Sequence, residues 1–250
     1  MTQDVLSLQA WRGLTKARIG LQRSGASLST NEVLTFALDH ARARDAVHEA
    51  LDVAALCSDL QALGFETLPA ASAAPDRQTY LARPDLGAVL SPASAEVLTL
   101  AANDGFDLAI VLADGLSSRA LRHATAVLGP LTTVLKDQDW KLGPIVVATQ
   151  GRVALGDQIG ACLGASMVLV LIGERPGLSS PDSLGAYLTW SPVVGRTNAE
   201  RNCVSNIRPE GLPPDAAAET LAWLLTEARR RRLTGIELKD LSGLTSISSP

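Results

Sequence analysis

A charged pair follows a strongly apolar segment in the second half of the chain. Residues 167–172 read MVLVLI, and the next five residues, GERPG, place Glu174 and Arg175 beside two glycines and a proline. An apolar run without polar alternation is typical of a strand that is covered on both faces. In α/β proteins the loops at the carboxyl ends of such strands line the ligand crevice. The sequence therefore predicts a polar ligand site at this loop.

At two earlier points in the sequence, which we call junctions, polar residues also follow directly after an apolar segment. Asp114 comes shortly after an apolar segment at residues 106–112, and the hydroxyls of Ser117 and Ser118 follow it. The string QGRVAL at residues 150–155 follows the next apolar segment, where backbone groups at the start of a helix are free to bond a ligand. A turn with hydroxyl caps explains the first junction as well as a ligand contact does. Either interpretation of Asp114 is open at this level.

Three glycines follow the second junction at a spacing of four residues. Gly156, Gly160 and Gly164 leave one face of a predicted helix without side chains. Such a face lets another part of the molecule come close. The close neighbour is either the sheet or a ligand.

The most polar cluster of the second half is RNCVSNIRP at residues 201–209. It contains amide, thiol, hydroxyl and guanidinium groups and little that would suit a core strand, so we interpret it as a polar recognition loop. Cys203 would need a base to act as a nucleophile, and no paired histidine motif supplies one. A packing or weakly hydrogen-bonding role suits Cys203 better.

The absence of several motifs argues against several classes of protein. The sequence contains no Gly-x-x-x-x-Gly-Lys-Ser/Thr loop, no Gly-x-Gly-x-x-Gly and no Gly-x-Ser-x-Gly. The three histidines are scattered and the three cysteines form no Cys-x-x-Cys pair, which argues against a zinc site and for reduced thiols. These residues are His40, His48, His123, Cys57, Cys162 and Cys203.

Composition limits the partners of the chain. Its 250 residues are 46% hydrophobic and 19% charged, with a net charge of -4, which is typical of a soluble globular protein without affinity for nucleic acid. Arg229 to Arg232 end a predicted helix, where the dipole favours cations, so we interpret them as helix-terminal charges. No apolar stretch reaches the roughly 20 residues of a membrane helix, and no signal peptide is recognisable, so we expect a cytoplasmic protein.

Regular alternation of strands and helices begins only after a long N-terminal region. Residues 28–62 are predicted to form a helix that is capped near Ser29, and residues 64–97, rich in turn formers, an irregular linker. Strands alternating with helices imply a parallel sheet. The prediction is an α/β protein with a helical N-terminal arm and linker at residues 1–100 and a Rossmann-like parallel-sheet domain at residues 101–250. The predicted elements of that domain are strands 106–112, 144–149 and 167–172, an extended segment at 186–190, and helices 117–135, 153–163 and 215–232.

The polar strings at the strand ends carry a family resemblance. GERPGLSSPDSLGAYLTWSP begins at residue 173, RNCVSNIRPEG begins at residue 201, and GRVAL occupies residues 151–155. Together they resemble the small subunit of ethanolamine ammonia-lyase. The resemblance is strongest from about residue 144 to residue 225, and weaker similarities extend it over nearly the whole chain.

The resemblance implies a radical enzyme with two kinds of subunit. Such an enzyme converts ethanolamine to acetaldehyde and ammonia by chemistry that begins when the Co–C bond of adenosylcobalamin breaks. The family's substrate site and most of its catalytic side chains belong to a large barrel subunit. We therefore expect no catalytic residue in this chain, no activity of the chain alone, and a higher-order hetero-oligomer with the large subunit. Longer family members have N-terminal extensions that can direct packaging into a bacterial microcompartment, so packaging of this shorter chain stays open.

The family's cofactor contacts can be carried over to three residues. They are Val153 in GRVAL, Glu174 in GERPG and Cys203 in RNCVSN. The resemblance implies that Val153 offers a backbone bond or an apolar contact, that Glu174 accepts from an amide of the corrin rim, and that Cys203 packs or bonds weakly. Glu174 could instead form an ion pair with Arg175. The corrin holds the cobalt, and the sequence lacks the Asp-x-His-x-x-Gly motif of proteins that replace the vitamin's own base, so the cobalt is expected to keep its dimethylbenzimidazole.

Two other functions stay open at the level of sequence. One is a stand-alone α/β binding protein in which the loops of Asp114, Gly151 and Glu174 hold a nucleotide-like ligand. The other is a purely structural subunit whose strand-end loops form an interface. Residues 1–60, an amphipathic arm with little core of its own, are expected mainly to clasp the large subunit in the family interpretation.

Overall fold

A six-stranded sheet with helices on both faces organises the protein. The computed structural model describes residues 8–15, 17–103 and 105–245. The α-helices are α1 Leu8–Leu14, α2 Thr30–His48, α3 Val53–Ala62, α4 Arg77–Ala82, α5 Pro92–Leu100, α6 Ala124–Asp137, α7 Leu155–Cys162, α8 Pro214–Arg231 and α9 Ser242–Thr245. The strands are β1 Arg23–Ser24, β2 Ser27–Leu28, β3 Thr67–Ala71, β4 Leu108–Ala113, β5 Leu142–Thr149, β6 Met167–Gly173, β7 Leu184–Trp190 and β8 Arg201–Ile207.

The sheet is mostly parallel, and its strand order is β3-β5-β4-β6-β7-β8. Strands β3, β5, β4 and β6 run parallel, whereas β7 is antiparallel to β6 and β8 is antiparallel to β7. The chain goes from β4 to its neighbour β5 on one side and then crosses to β6 on the other side. This reversal is the topological switch point of a doubly wound sheet. The predicted α/β fold with a parallel sheet is confirmed.

Alternate side chains of the central strands fill two cores. Leu108, Ile110 and Leu112 of β4 face the core formed with α3, α6 and α8. Ala109 and Val111 face the other core, formed with α5 and α7. Because both faces are covered, β4 and β6 are buried along their whole length, which explains their apolar sequences.

The glycine face of α7 lies against the sheet. A β-carbon on Gly156 would lie 2.2 Å from Cγ2 of Val170, and one on Gly160 would lie 2.7 Å from Cγ of Pro192, just after β7, and 3.1 Å from Cβ of Val168. Of the two neighbours predicted for this face, the sheet is therefore the one that comes close.

The predicted helix at residues 28–62 is wrong in one respect, because two helices occupy it. Helix α2 ends at His48, Glu49 adopts an extended backbone conformation, and α3 begins after Asp52. The side chain of Asp52 accepts a hydrogen bond from the Ala55 N–H at 2.9 Å, which caps the second helix. Ser29 caps α2, as predicted.

The prediction of an irregular linker at residues 64–97 is also wrong, because β3 and α4 lie within it and α5 begins there. Strand β3 pairs with β5 at the edge of the sheet, where a proline such as Pro69 is tolerated. Asp76 caps α4 and Ser91 caps α5 through their side chains. The division of the chain near residue 100 stays a prediction, and β3 lies in the same sheet as the strands that follow it.

Residues 201–209 were predicted to be a loop, and this is wrong for most of the segment. Residues 201–207 form β8, the other edge strand of the sheet. Its polar side chains find partners elsewhere in the chain: Arg201 forms a buried ion pair with Asp157 of α7, and Asn202 Nδ2 donates to the Leu238 carbonyl at 2.7 Å. The polarity of this segment therefore reflects distant partners.

Two arginines at the end of α8 form ion pairs with carboxylates of the chain, one of them on α8 itself and one on a distant segment. Arg229 forms an ion pair with Asp107 at 3.3 Å, and Arg230 pairs with Glu227 at 2.6 Å. No helix among residues 8–15, 17–103 and 105–245 is long and apolar enough to cross a bilayer.

Helix α2 has an exposed apolar surface. Among its residues only Ala46 is buried. Its side chains Val33, Leu34, Phe36 and Leu38 are between 47% and 62% exposed. We call these four residues the apolar surface of α2.

Candidate functional site

A cavity of about 440 Å³ lies at the switch point, beyond the carboxyl ends of β4 and β6. In doubly wound sheets this is the position of the ligand crevice. Segments that are far apart in the sequence contribute to its wall. The residues of interest in that wall are Tyr80, Arg152, Val153, Glu174, Arg175 and Tyr187.

The loops after β4 and β6 are in close backbone contact beside this cavity. The Leu116 N–H donates to the Gly173 carbonyl at 2.9 Å. Gly115 has φ +55, and a β-carbon there would lie 2.1 Å from the Gly173 oxygen. Only glycine permits this approach and this backbone conformation without strain. The contact fixes the point from which Glu174 enters the cavity wall.

Ser183, which directly precedes β7, and Asn206 of β8 hold the carboxylate of Glu174. Oε2 accepts a short hydrogen bond from Ser183 Oγ and one of 3.2 Å from the Asn206 N–H. Oε1 accepts no hydrogen bond from a described residue. Within the described part of the chain Glu174 forms no ion pair with Arg175. The carboxylate is thus oriented by the sheet, and one of its oxygens is available to a ligand donor.

Cys203 lies opposite Tyr187 in the β7–β8 ladder. The residue as a whole is exposed. Desolvation is nevertheless the main cause that raises the pKa of its thiol, and the negative charge of nearby Glu174 raises it further. Desolvation and Cys203 likewise raise the pKa of Tyr187. Both groups are therefore protonated near neutral pH, so the surroundings of Cys203 favour contact with a ligand over nucleophilic attack.

The loop that carries Val153 is fixed by hydrogen bonds to three other segments. Tyr80 Oη donates to the Gly151 carbonyl at 2.9 Å, and the Arg152 N–H donates to the Gly87 carbonyl at 2.8 Å. The Gly151 N–H donates to Asp114 Oδ1 at 3.1 Å. The Val153 N–H has no acceptor among the described residues. The half-buried Val153 therefore offers a backbone donor from a rigid loop.

Asp114 does not line the cavity, but it holds one of the loops that do. It is 3% exposed, its pKa is raised chiefly by burial, and Arg77 Nη1 lies 3.4 Å from Oδ2. Asp114 bonds the N–H of Gly151, so these two residues connect the loops after β4 and β5. The three loops assigned to a nucleotide-like ligand all contribute to the cavity wall, through Gly115, Arg152 and Glu174, although Asp114 and Gly151 themselves do not line it.

The sequence left open whether the hydroxyls of Ser117 and Ser118 cap a helix, and in the structure they do not: Ser117 precedes a short 3-10 helix at Ser118–His123 without a side-chain cap. Ser117 Oγ donates to the Pro181 carbonyl at 2.7 Å, and Ser118 Oγ donates to the Glu49 carbonyl at 3.0 Å. They attach the loop after β4 to two other segments.

Tyr80 is the main site residue that sequence reasoning missed. It is fully buried, and burial raises its pKa to about 12, so the phenol keeps the proton that it donates. The guanidiniums of Arg77 and Arg152 lie 4.9 Å and 4.3 Å from its ring centroid. The segment containing Tyr80 looked like a linker, and only the capping residue Asp76 signalled a helix there. Tyr187, in the predicted extended segment, was missed as well.

The fold and the site together define a doubly wound α/β protein with a polar ligand cavity at its switch point. A family model described as "Ethanolamine ammonia-lyase light chain (EutC)" matches residues 6–239.

Similar proteins from several bacteria agree with this match. A protein of Rhodopseudomonas palustris (strain BisA53), named ethanolamine ammonia-lyase small subunit, is 54% identical over 249 residues, which cover 99% of this chain and 95% of the other. One of the same name from Bradyrhizobium diazoefficiens is 57% identical over 233 residues, covering 92% of this chain and 89% of the other. The chain belongs to the ethanolamine ammonia-lyase small-subunit family, as the polar strings predicted.

Proposed function

We propose that this chain is the small subunit of an adenosylcobalamin-dependent ethanolamine ammonia-lyase and that it forms one wall of the cobalamin pocket. One observation carries the proposal. Val153 and Glu174 line a single cavity although they follow different strands, and Cys203 lies opposite Tyr187, which lines the same cavity. Two of the three residues that the family resemblance selected thus line this cavity, and the third, Cys203, lies on the strand beside it.

The groups around this cavity fit the rim of a corrinoid. That rim carries carboxamides around a broad apolar ring, so it needs both acceptors and donors from the protein. Glu174 Oε1 and the Val153 N–H have no partner in the described chain and would serve these two roles. Gly185 and Cys203 present little bulk on the neighbouring strands. The cavity is near the lower end of the roughly 300–1,000 Å³ that enclose a drug-sized ligand, so it suits part of a corrinoid.

In this proposal the residues of this chain bind the cofactor and orient it. Adenosylcobalamin, when bound, supplies a radical source through its Co–C bond. Glu174 accepts a hydrogen bond from a rim amide, Val153 donates its backbone N–H and adds apolar contact, and Cys203 packs at the edge. Asp114 and Tyr80 keep the loops in position through Gly151. The large subunit holds ethanolamine and supplies the catalytic side chains, so the chain alone is inactive.

The apolar surface of α2 supports the partner part of the proposal. Four apolar side chains within six residues of one helix are exposed, and clusters of exposed apolar groups mark interaction sites. We assign this surface to contact with the large subunit in a higher-order hetero-oligomer. The predicted cytoplasmic location, with or without packaging in a microcompartment, stays a prediction.

Co-expression with a large subunit tests the function. The purified complex should release acetaldehyde from ethanolamine only when adenosylcobalamin is added, and each subunit alone should be inactive. A stable complex that does not bind adenosylcobalamin, or an isolated chain that binds nucleotides tightly, would contradict the proposal.

A further inference from the structure

Two guanidiniums of the cavity wall have no carboxylate partner. Arg152 and Arg175 both line the cavity, and neither side chain forms an ion pair or hydrogen bond with a described residue. Nε of Arg152 is buried without an acceptor. Arg77, which approaches the same tyrosine ring as Arg152, differs because it pairs with Asp114.

The position of Arg152 is fixed although no carboxylate attracts it. Its guanidinium lies 4.3 Å from the ring centroid of Tyr80, and its backbone N–H donates to the Gly87 carbonyl. A guanidinium held by cation–π contact is partly pre-organised, so less entropy is lost when it binds an anion.

The charges near the cavity are unbalanced in favour of cations. Glu174 is the carboxylate of the wall, and its Oε2 is engaged by Ser183 and Asn206. Asp114 is engaged by Arg77 and Gly151. The chain as a whole has a net charge of -4, so a cavity with two unpaired guanidiniums is a local exception. Such a pair attracts an oxyanion, and guanidinium geometry suits phosphate.

We infer that Arg152 and Arg175 bind the phosphodiester of a cobalamin. This inference rests on the proposed function and deepens it. The peripheral amides of a cobalamin are neutral, whereas the tail that links the corrin to the dimethylbenzimidazole nucleotide contains a phosphodiester with one negative charge. The wall of this chain therefore faces the nucleotide tail, and Glu174 is left for the neutral amides. A free nucleotide offers the same chemistry and is distinguished by the experiment.

Corrinoids of different tail length test the inference in the complex with the large subunit. Dissociation constants would be measured from absorbance changes for adenosylcobalamin, adenosylcobinamide phosphate, which keeps a phosphate, and adenosylcobinamide, which has none. Arg152→Gln and Arg175→Gln should each weaken binding of the two phosphate-containing ligands about 10- to 100-fold, the worth of one charge-assisted hydrogen bond. Their affinity for adenosylcobinamide should be unchanged. Arg152→Lys should restore part of the lost affinity.

Arg230→Gln is the matched control, because it removes an exposed guanidinium of α8 that pairs with Glu227. It should leave all three affinities unchanged. If Arg152→Gln prevents assembly, Arg175→Gln decides the question alone.

Three results would overturn the inference. If both variants lose equal affinity for all three corrinoids, the arginines stabilise the cavity by packing and do not bind the phosphate. If neither variant loses affinity, the arginines do not contact the phosphate. Both of these results leave the proposed function intact. A wild-type complex that binds no corrinoid but binds AMP in a manner that depends on Arg152 would instead contradict the proposed function and assign the phosphate site to free nucleotides.

Discussion

The cavity at the switch point and the apolar surface of α2 differ in where their groups find partners. Around the cavity, hydrogen bonds within the chain connect the loops, as between Gly151 and Asp114 and between Leu116 and Gly173. On α2, apolar side chains such as Leu34 face solvent. The shape of the cavity wall is therefore a property of this chain, whereas α2 needs another molecule to cover it. Substitutions in the two regions should therefore distinguish effects on the stability of the chain from effects on its assembly with another subunit.

The largest effect is expected where the sheet and α7 are held together. Arg201 of β8 and Asp157 of α7 form a buried ion pair, with side chains 3% and 2% exposed. Asp157→Ala leaves the guanidinium buried without its counter-charge and should lower the free energy of unfolding by about 3–5 kcal/mol. Urea unfolding of the isolated chain, followed by circular dichroism, measures this loss.

The control for this prediction is the double variant Asp157→Leu with Arg201→Met, which replaces both charges with apolar groups. It should recover most of the stability. A single variant as stable as the wild type would contradict the prediction, because the buried guanidinium of Arg201 would then not need this counter-charge.

A smaller effect, on binding rather than on stability, is expected at Glu174. Glu174→Ala removes the acceptor oxygen Oε1 and should weaken adenosylcobalamin binding by roughly 1.5 to 3 kcal/mol in the assembled enzyme, as expected for one charge-assisted hydrogen bond. Titration of the complex with the cofactor checks this value. Glu96→Ala removes a carboxylate of α5 outside the cavity wall and serves as the control. Unaltered affinity would exclude Glu174 from the pocket.

The segment that supports Glu174 should respond to acid. Burial alone would raise the pKa of Asp182, yet hydrogen bonds from Arg122 and His123, the latter at 2.8 Å, lower it to about 2. A carboxyl whose pKa is lower in the folded state stabilises that state above its unfolded value near 4, and this contribution disappears as the pH falls towards 2. We expect a loss of about 1–2 kcal/mol, reduced by solvent screening, over that window.

Unfolding midpoints in urea at pH 6 and at pH 3 measure this contribution. Asp182→Asn should be less stable than the wild type at pH 6 and should lose less stability on acidification. An equal loss in both proteins would assign the acid sensitivity to other carboxyls.

Sequence reasoning succeeded for elements whose signal is local and failed for those that depend on distant partners. The apolar runs of β4, β5 and β6 locate three strands to within about two residues, and their alternation with helices fixes the loops that carry Glu174 and Val153. By contrast, β8 is polar because Asp157 and Leu238 lie beside it in space. No local pattern contains that information.

The residues of the candidate site also fall into those that local sequence reveals and those that depend on distant partners. Residues at the ends of the central strands were found from position and resemblance. Tyr80 was missed because its role depends on a hydrogen bond to Gly151 and on stacking with Arg152, seventy-one and seventy-two residues further along the chain. The sequence thus predicts which loops meet at a switch point, while the side chains that fix those loops become visible only in three dimensions.

The smallest effect on the chain's own stability is expected on α2. Leu34→Ser and Leu38→Ser alter side chains that are 62% and 50% exposed, so the free energy of unfolding of the isolated chain should change by no more than about 0.5 kcal/mol. Exposed aromatic and aliphatic groups that become buried at an interface each contribute about 1–2 kcal/mol or more to binding. The double variant should therefore weaken assembly with the large subunit while its unfolding curve is unchanged.

Leu100→Ser provides the matched control, because Leu100 is 84% exposed on α5, outside the surface of α2. Affinity for the large subunit, measured by titrating one labelled subunit with the other, should fall for the α2 variant and not for the control. Loss of stability in the isolated α2 variant would mean that this chain itself covers the apolar surface. Unchanged assembly would assign the interface to the cavity side alone, because the strand-end loops would then be sufficient to hold the large subunit.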